Sequence, residues 1–245
     1  MLVGETAKRS CSTVATALLF DVFGTLVDWR GGVIEALRTF AARTGISADW
    51  AAFADDWRAA YGPSMDRVRR GEVGWQNLDA LHAASLAELL ERYGAGDAGG
   101  EERARLVKAW HALRPWPDVV GGLERLRRRF IVASLSNGNI ALQIDLRRHA
   151  ELPLDMLFSA ELFGHYKPDP QTYLGACALL DLRPERVMLV AAHTGDLLAA
   201  QACGLQTAFI ARPLEHGVGG AVDTGSAAVD LHADGIDALA QRLGA

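Results

Sequence analysis

The chain has 245 residues, and 30 acidic against 25 basic side chains leave a net charge of −5. That mild acidity gives no whole-chain electrostatic case for a nucleic-acid partner. Half of the residues are hydrophobic and 22% are charged, which argues against wholesale disorder, and the length suffices for a sizeable core without disulfides or a structural metal.

Near the N-terminus, Lys8 and Arg9 precede an apolar run over 14–20. Thr16 interrupts the run, and it leads into Asp21 with no small-residue cleavage site, so it does not read as a signal peptide. Nothing approaches the ~20 apolar residues of a membrane span. Cys11, Cys177 and Cys203 are odd in number and lack C-x-x-C spacing, which argues against a disulfide framework and a zinc site. The expectation is a soluble, cytoplasmic protein with no membrane partner, preceded by a flexible polar tail over 1–13.

Residues 15–20 read as a short buried strand ending at Asp21. From Gly32 the period turns helical, with Val33, Ile34, Leu37, Phe40 and Ala41 at spacings of three and four. A second helix starts near Ala48, carries Phe53, Trp57, Ala60 and Tyr61, and is punctuated by Gly62-Pro63. Leu78, Leu81, Leu86, Leu89 and Leu90 mark a third, closed by Tyr93-Gly94, and residues 101–113 a fourth. Arg114-Pro115-Trp116-Pro117-Asp118 is a rigid connector, because each proline fixes its own φ and restricts its neighbour.

Beyond the connector the pattern alternates. Strands are expected over 130–135, 157–159, 187–191 and 207–210. Helices are expected over 140–149, 171–180, 197–203 and 236–243, the last preceded by Val229-Asp230-Leu231. Such alternation implies a parallel sheet covered on both faces. The first strand joins that sheet, since a lone strand is not stable. The fold class is therefore α/β: a doubly wound, Rossmann-like parallel-sheet core over 14–28 and 115–245, with an all-helical cap over 29–114 inserted after the first strand. The basic runs Arg67-Val68-Arg69-Arg70 and Arg127-Arg128-Arg129 read as solvated helix faces.

Ligands of open α/β sheets bind beyond the carboxyl ends of the strands. Those ends read Asp21-Val22-Phe23-Gly24-Thr25, Ser136-Asn137-Gly138-Asn139, Tyr166-Lys167-Pro168 and His193-Thr194-Gly195-Asp196. In a parallel sheet they bring carboxylates, an ammonium, hydroxyls and an amide to one place. The strings D-V-F-G-T, S-N, K-P and G-D, in that order, resemble the haloacid dehalogenase superfamily of hydrolases over about residues 15–245. The longer strings F-D-V-F-G-T-L, L-S-N-G and Y-K-P-D-P-x-x-Y are most similar to its type II (L-2-haloacid) dehalogenases.

The resemblance implies cofactor-free, metal-free hydrolysis of short 2-haloalkanoic acids to 2-hydroxy acids through an aspartyl ester, with fluoroacetate a candidate substrate and a homodimer the expected assembly. It casts Asp21 as nucleophile, Lys167 as the charge that keeps Asp21 ionised, Asp196 as the group that orients Lys167 and helps activate water, and Thr25 as the group orienting Asp21. Ser136 and the backbone amides of Val22 and Phe23 would hold the substrate carboxylate. Arg58 and Asn137 would cradle the halide, and Tyr173 would stand near the substrate.

The chain departs from the type II pattern at Ala191, His193 and Gly195, where a hydroxyl, an amide and an aromatic wall are usual. His193 is expected near the halide and water positions, with Asp196 favouring its protonation and Lys167 and Arg58 opposing it. The rival reading is a magnesium-dependent phosphatase of the same fold. Such an enzyme needs an acid two residues after the nucleophile to protonate an alkoxide, and that position is Phe23. Ala200 stands where a further metal-binding carboxylate is common. A third reading, a non-catalytic binding protein, would show loss of the nucleophile or the lysine, and both residues are present.

Overall fold

In the computed structural model, which describes residues 15–245, the apolar runs become strands β1 (Ala17–Phe20), β2 (Ile131–Ser136), β3 (Met156–Ser159), β4 (Val187–Ala191), β5 (Gln206–Ile210) and β6 (Leu231–Ala233). They form one sheet in the order β3-β2-β1-β4-β5-β6. Every pairing is parallel. The fold is the doubly wound α/β architecture that the alternation implied. The tail expected over 1–13, with Cys11, lies outside the described residues.

β1 occupies the middle of the sheet, and its side chains are wholly buried. This explains an apolar run with no polar alternation. Its register places Phe20 beside Ser134 of β2 and Val190 of β4. The residues just past these three strand ends are therefore neighbours, and strand order reverses direction beside β1, where crevices form in such sheets.

Between β1 and β2 the chain is helical: α1 (Trp29–Thr44), α2 (Trp50–Ala59), α3 (Tyr61–Arg69), α4 (Leu78–Arg92), α5 (Gly100–Lys108), a 3-10 turn at Ala109–His111 and α6 (Val119–Arg127). Side-chain oxygens of Asp28, Asp49 and Asn77 cap α1, α2 and α4 by accepting from the first-turn amides. The remaining helices are α7 (Ile140–His149), α8 (Ala160–Phe163), α9 (Pro170–Leu179), α10 (Thr194–Ala202) and α11 (Ile236–Arg242). No helix among the described residues is long and apolar enough to cross a membrane.

The structure corrects several element boundaries. The second helical stretch ends at Ala59, just before Gly62-Pro63, and a new helix follows, with Pro63 in the first turn of α3, where the missing N–H is not needed. The helix expected over 101–113 stops at Lys108 and tightens into the 3-10 turn. The helix expected to carry Arg127-Arg128-Arg129 is α6, which ends at Arg127 and whose start the sequence reading does not place. Its Gly122 lets α11 approach, since a Cβ there would lie 2.7 Å from Ile236 Cγ2. α10 begins at Thr194, so Asp196 lies in its first turn and does not cap it; Asp223 accepts from the Thr194 N–H at 2.7 Å.

The segment between β1 and α6 leaves and returns side by side. Asp28 N–H donates to Arg114 C=O at 2.9 Å, and Trp116 N–H donates to Leu26 C=O at 3.0 Å. The apolar interior runs on from sheet to helices: Trp110 meets Phe23 edge-on, with ring centroids 5.7 Å apart, and stacks on Trp29 at 6.2 Å.

Candidate active site

Asp21 follows β1 directly and is 8% exposed. Its Oδ1 accepts from Lys167 Nζ at 2.9 Å. Its Oδ2 accepts from Thr25 Oγ1 at 2.7 Å and lies 3.1 Å from His193 Nδ1. Burial alone would raise the Asp21 pKa, but the Lys167 charge and the His193 hydrogen bond outweigh it and hold the carboxyl far below the usual range. Thr25 is itself fixed, because its hydroxyl accepts from Ala192 N–H at 2.9 Å. The loop after Asp21 is held from outside: Arg212 donates to Thr25 C=O and, in bidentate fashion, to Asp118.

Lys167, 7% exposed, bridges two carboxylates, reaching Asp196 Oδ2 at 2.5 Å as well as Asp21. Burial would lower its pKa, but the charges of Asp196 and Asp21 raise it. Tyr173 hydroxyl donates to Asp196 Oδ1 at 2.6 Å. Tyr173 thus holds Asp196, which lines the pocket, in place. Asn137 Oδ1 accepts from the Lys167 backbone N–H at 2.8 Å, tying the β2 loop to the lysine loop.

Above these groups lies a pocket of about 340 Å³. Asp21, Phe23, Asn137, Lys167, His193 and Asp196 line it from the sheet side, and Arg58, Tyr61, Gly62 and Met65 line it from α2 and α3. Arg58 Nη1 is buried with no hydrogen-bond partner, and its guanidinium stands 4.3 Å from the Tyr61 ring centroid. A buried N–H without an acceptor points to a ligand, because leaving it unpaired costs about 1–3 kcal/mol. Gly195 also lines the pocket, and a Cβ on it would meet nothing within 4 Å, so the missing aromatic wall leaves open space.

Ser136 is fully buried at the end of β2, and its hydroxyl accepts from Gly138 N–H at 3.0 Å, shaping the loop that carries Asn137. The Val22 and Phe23 side chains are buried, and the turn that carries them closes through Leu26 and Val27 N–H groups donating to Val22 C=O at 2.9 and 3.2 Å.

Sequence reasoning missed Glu215. It stands in the loop after β5, is 4% exposed, and accepts from Trp29 Nε1 at 3.1 Å. His193 Nε2 lies 3.0 and 3.2 Å from its two oxygens. The imidazole is therefore gripped by Asp21 on one side and Glu215 on the other. Burial would depress its pKa, but the hydrogen bonds and charges of these two carboxylates push it up to about 10. Asp21 and Glu215, and not Asp196, are the groups that charge His193. Gly24 makes room for the arrangement: with φ +84°, it would carry a Cβ 2.1 Å from Glu215 Oε1. The one sequence signal was this glycine in the first motif, which demands close approach by something but does not say what.

A raised His193 pKa contributes stability that is fully present below its unfolded value near 6.5 and is lost as pH climbs towards about 10. The melting-temperature advantage of the native chain over His193→Asn should therefore shrink between pH 6.5 and 10. Differential scanning fluorimetry across that range checks this, and a constant difference would show a neutral imidazole.

The model of haloacid dehalogenase-like hydrolases matches residues 15–204. Over 199 residues the chain is 31% identical to (S)-2-haloacid dehalogenase 1 of Pseudomonas sp. strain CBS-3, covering 80% of this chain and 84% of that one. It is also 28% identical to the plasmid-borne phosphoglycolate phosphatase of Cupriavidus necator, over 93% of each chain. Among solved structures, an L-2-haloacid dehalogenase superposes with a TM-score of 0.91 at 50% identity, over 94% of this chain and 99% of that one. A defluorinating L-2-haloacid dehalogenase superposes with a TM-score of 0.91 at 44% identity, over 94% and 96%.

Proposed function

Because the chain belongs to the haloacid dehalogenase-like hydrolases, we propose that it hydrolyses the carbon–halogen bond of short 2-haloalkanoic acids, giving 2-hydroxy acids. One observation carries the reading. Asp21 is a buried carboxylate held ionised by Lys167 at the floor of the pocket, with the phenyl ring of Phe23 where a phosphatase needs an acid. A halide departs without a proton, so this pocket lacks nothing that a haloacid requires.

In this reading Asp21 attacks C2 in line. The new O–C bond forms as the carbon–halogen bond breaks, and the configuration inverts once. Lys167 keeps Asp21 charged, Asp196 with Tyr173 positions the lysine, and Thr25 fixes the carboxylate plane. The amides of Val22 and Phe23 face the substrate carboxylate, with Ser136 shaping the neighbouring loop. Arg58 and Asn137 take the departing halide, whose developing charge needs donors placed in advance. Water then attacks the Asp21 carbonyl carbon and releases the hydroxy acid. The helical segment 29–114 acts as a cap that excludes bulk water and strengthens these charge interactions. The same reading makes the enzyme cytoplasmic, free of metal and cofactor, and a homodimer through its cap helices; light scattering tests the assembly.

Halide release from chloroacetate and from each 2-chloropropionate enantiomer, with a chelator present, tests the proposal. The L-enantiomer should be turned over to D-2-hydroxypropionate and the D-enantiomer should not. Turnover of an aryl phosphate with magnesium, and no halide release, would overturn the reading in favour of a phosphatase.

A further inference from the structure

Glu215, His193 and Asp21 form a chain of contacts to which the displacement step gives no proton-transfer role. Both carboxylates touch the imidazole, Nε2 at 3.0 Å from Glu215 Oε1 and Nδ1 at 3.1 Å from Asp21 Oδ2. Trp29 Nε1, from the start of α1, pins Glu215, and Gly24 leaves it the space. A histidine with a buried carboxylate behind one nitrogen and the reacting group before the other is the arrangement by which hydrolases prepare a base. Here the reacting group is the nucleophile itself.

We propose that His193 is the general base of the second half-reaction, taking the proton of the water that cleaves the Asp21 ester, and that Glu215 is the residue that positions it. The inference rests on the haloacid reading above.

The charges of the first step set up the second. In the resting site the imidazolium sits between two anions. Lys167 and Asp196 stand beyond Asp21, Arg58 acts on Glu215 from α2, and Asp223 acts on His193 from the loop before β6. When Asp21 becomes an ester it loses its negative charge, so one of the two anions that held the Nδ1 proton disappears. That proton leaves for solvent as the halide departs, while Glu215 retains the Nε2 proton in its hydrogen bond. Nδ1 then presents a lone pair beside the ester carbonyl.

Water gives a proton to Nδ1 as its oxygen bonds to Asp21 Cγ. The Cγ–O bond to the substrate carbon then breaks, and the alkoxide takes the proton from Nδ1. Ionisation of the new Asp21 carboxyl returns a proton to His193 and restores the starting state. Over both steps, haloacid and water give hydroxy acid, halide and one proton.

Rapid-quench kinetics with L-2-chloropropionate separates the half-reactions. The wild type should release halide throughout, which is the control for the haloacid reading; no halide from the wild type would sink that reading, not this one alone. Glu215→Gln should release about one halide per active site at near wild-type rate. Its steady-state rate should then fall about a hundredfold, within the usual range for loss of acid–base assistance. Mass spectrometry of the peptide carrying Asp21 should show the accumulated ester. His193→Ala also loses a hydrogen bond to Asp21, so its burst should slow less than its steady-state rate, the ester should again accumulate, and added imidazole should restore ester breakdown. If Glu215→Gln does not fold, the alanine variant and its rescue decide. A burst slowed in proportion to the steady state, no trapped ester, or no rescue by imidazole would overturn the proposal and leave His193 and Glu215 a structural pair.

Discussion

Asp21→Asn is expected to lower halide release by at least about 10⁴-fold, the scale at which removal of a covalent nucleophile is felt. The amide is nearly isosteric, so the loss reports chemistry more than packing. It is not nucleophilic, and it takes one anion from between Lys167 and His193. A companion experiment on the native chain fixes the atom: a single turnover in heavy-oxygen water should label Asp21 and leave the first hydroxy acid unlabelled. Label in the product of that first turnover would mean that water attacks C2 directly.

Lys167→Met should combine two losses. Activity is expected to fall about 10³-fold or more, because the ammonium that keeps Asp21 ionised is gone, and one acting member of a catalytic unit carries losses of that size. Stability should fall by about 3–5 kcal/mol, the usual cost of removing one partner from a buried charge cluster. The reason is visible in the site: the Asp21 and Asp196 side chains are 11% and 10% exposed, and Lys167 lies between them. Denaturant unfolding measures the second loss. If Asp196→Asn in the same chain restores part of the stability while activity stays low, the two losses are separate. Wild-type stability in Lys167→Met would show that the two carboxylates do not depend on the ammonium.

How much of this site could be read in advance follows from where each residue sits. Asp21 and Asn137 come from positions just past the ends of β1 and β2, where an apolar run stops at a polar residue, whereas Lys167 follows β3 only after α8 and Asp196 lies in the first turn of α10, so these two were legible through the K-P and G-D strings. A parallel sheet gathers these ends without further information. Arg58 was legible only through its neighbour Trp57, which is fully buried and therefore fixes which face of α2 looks inward. Glu215 was not legible, because the loop after β5 has no period, and nothing in the sequence says that its carboxylate turns back to Trp29 and His193.

The helices show the same division. α1 and α4 carry long apolar stripes and cap residues, and both were foreseen. α6 was given no start, and its Gly122 serves packing against α11, a need set by a segment more than a hundred residues later. The charge of His193 was foreseen as a possibility, but the carboxylates responsible were misassigned. Neighbours in space decided it, and Asp196, the nearer in sequence, is occupied by Lys167 and Tyr173.

The place where the chain departs from β1 and comes back has a consequence for modularity. Leu26, Asp28, Arg114 and Trp116 form a two-rung backbone seam, so the two ends of the long helical excursion already touch. The sheet on one side of the seam is threaded the same way whatever hangs from the other. Residues that line the pocket from the helical side, such as Arg58, Tyr61 and Met65, can then vary while Asp21 and Lys167 keep their register. The stack of Trp29 on Trp110 marks the limit of that freedom, because any transplanted excursion must bring its own aromatic pair to seal the joint. A graft that exchanges the excursion along this seam, tryptophans included, would move substrate preference from one relative to another without redesigning the chemistry beneath it.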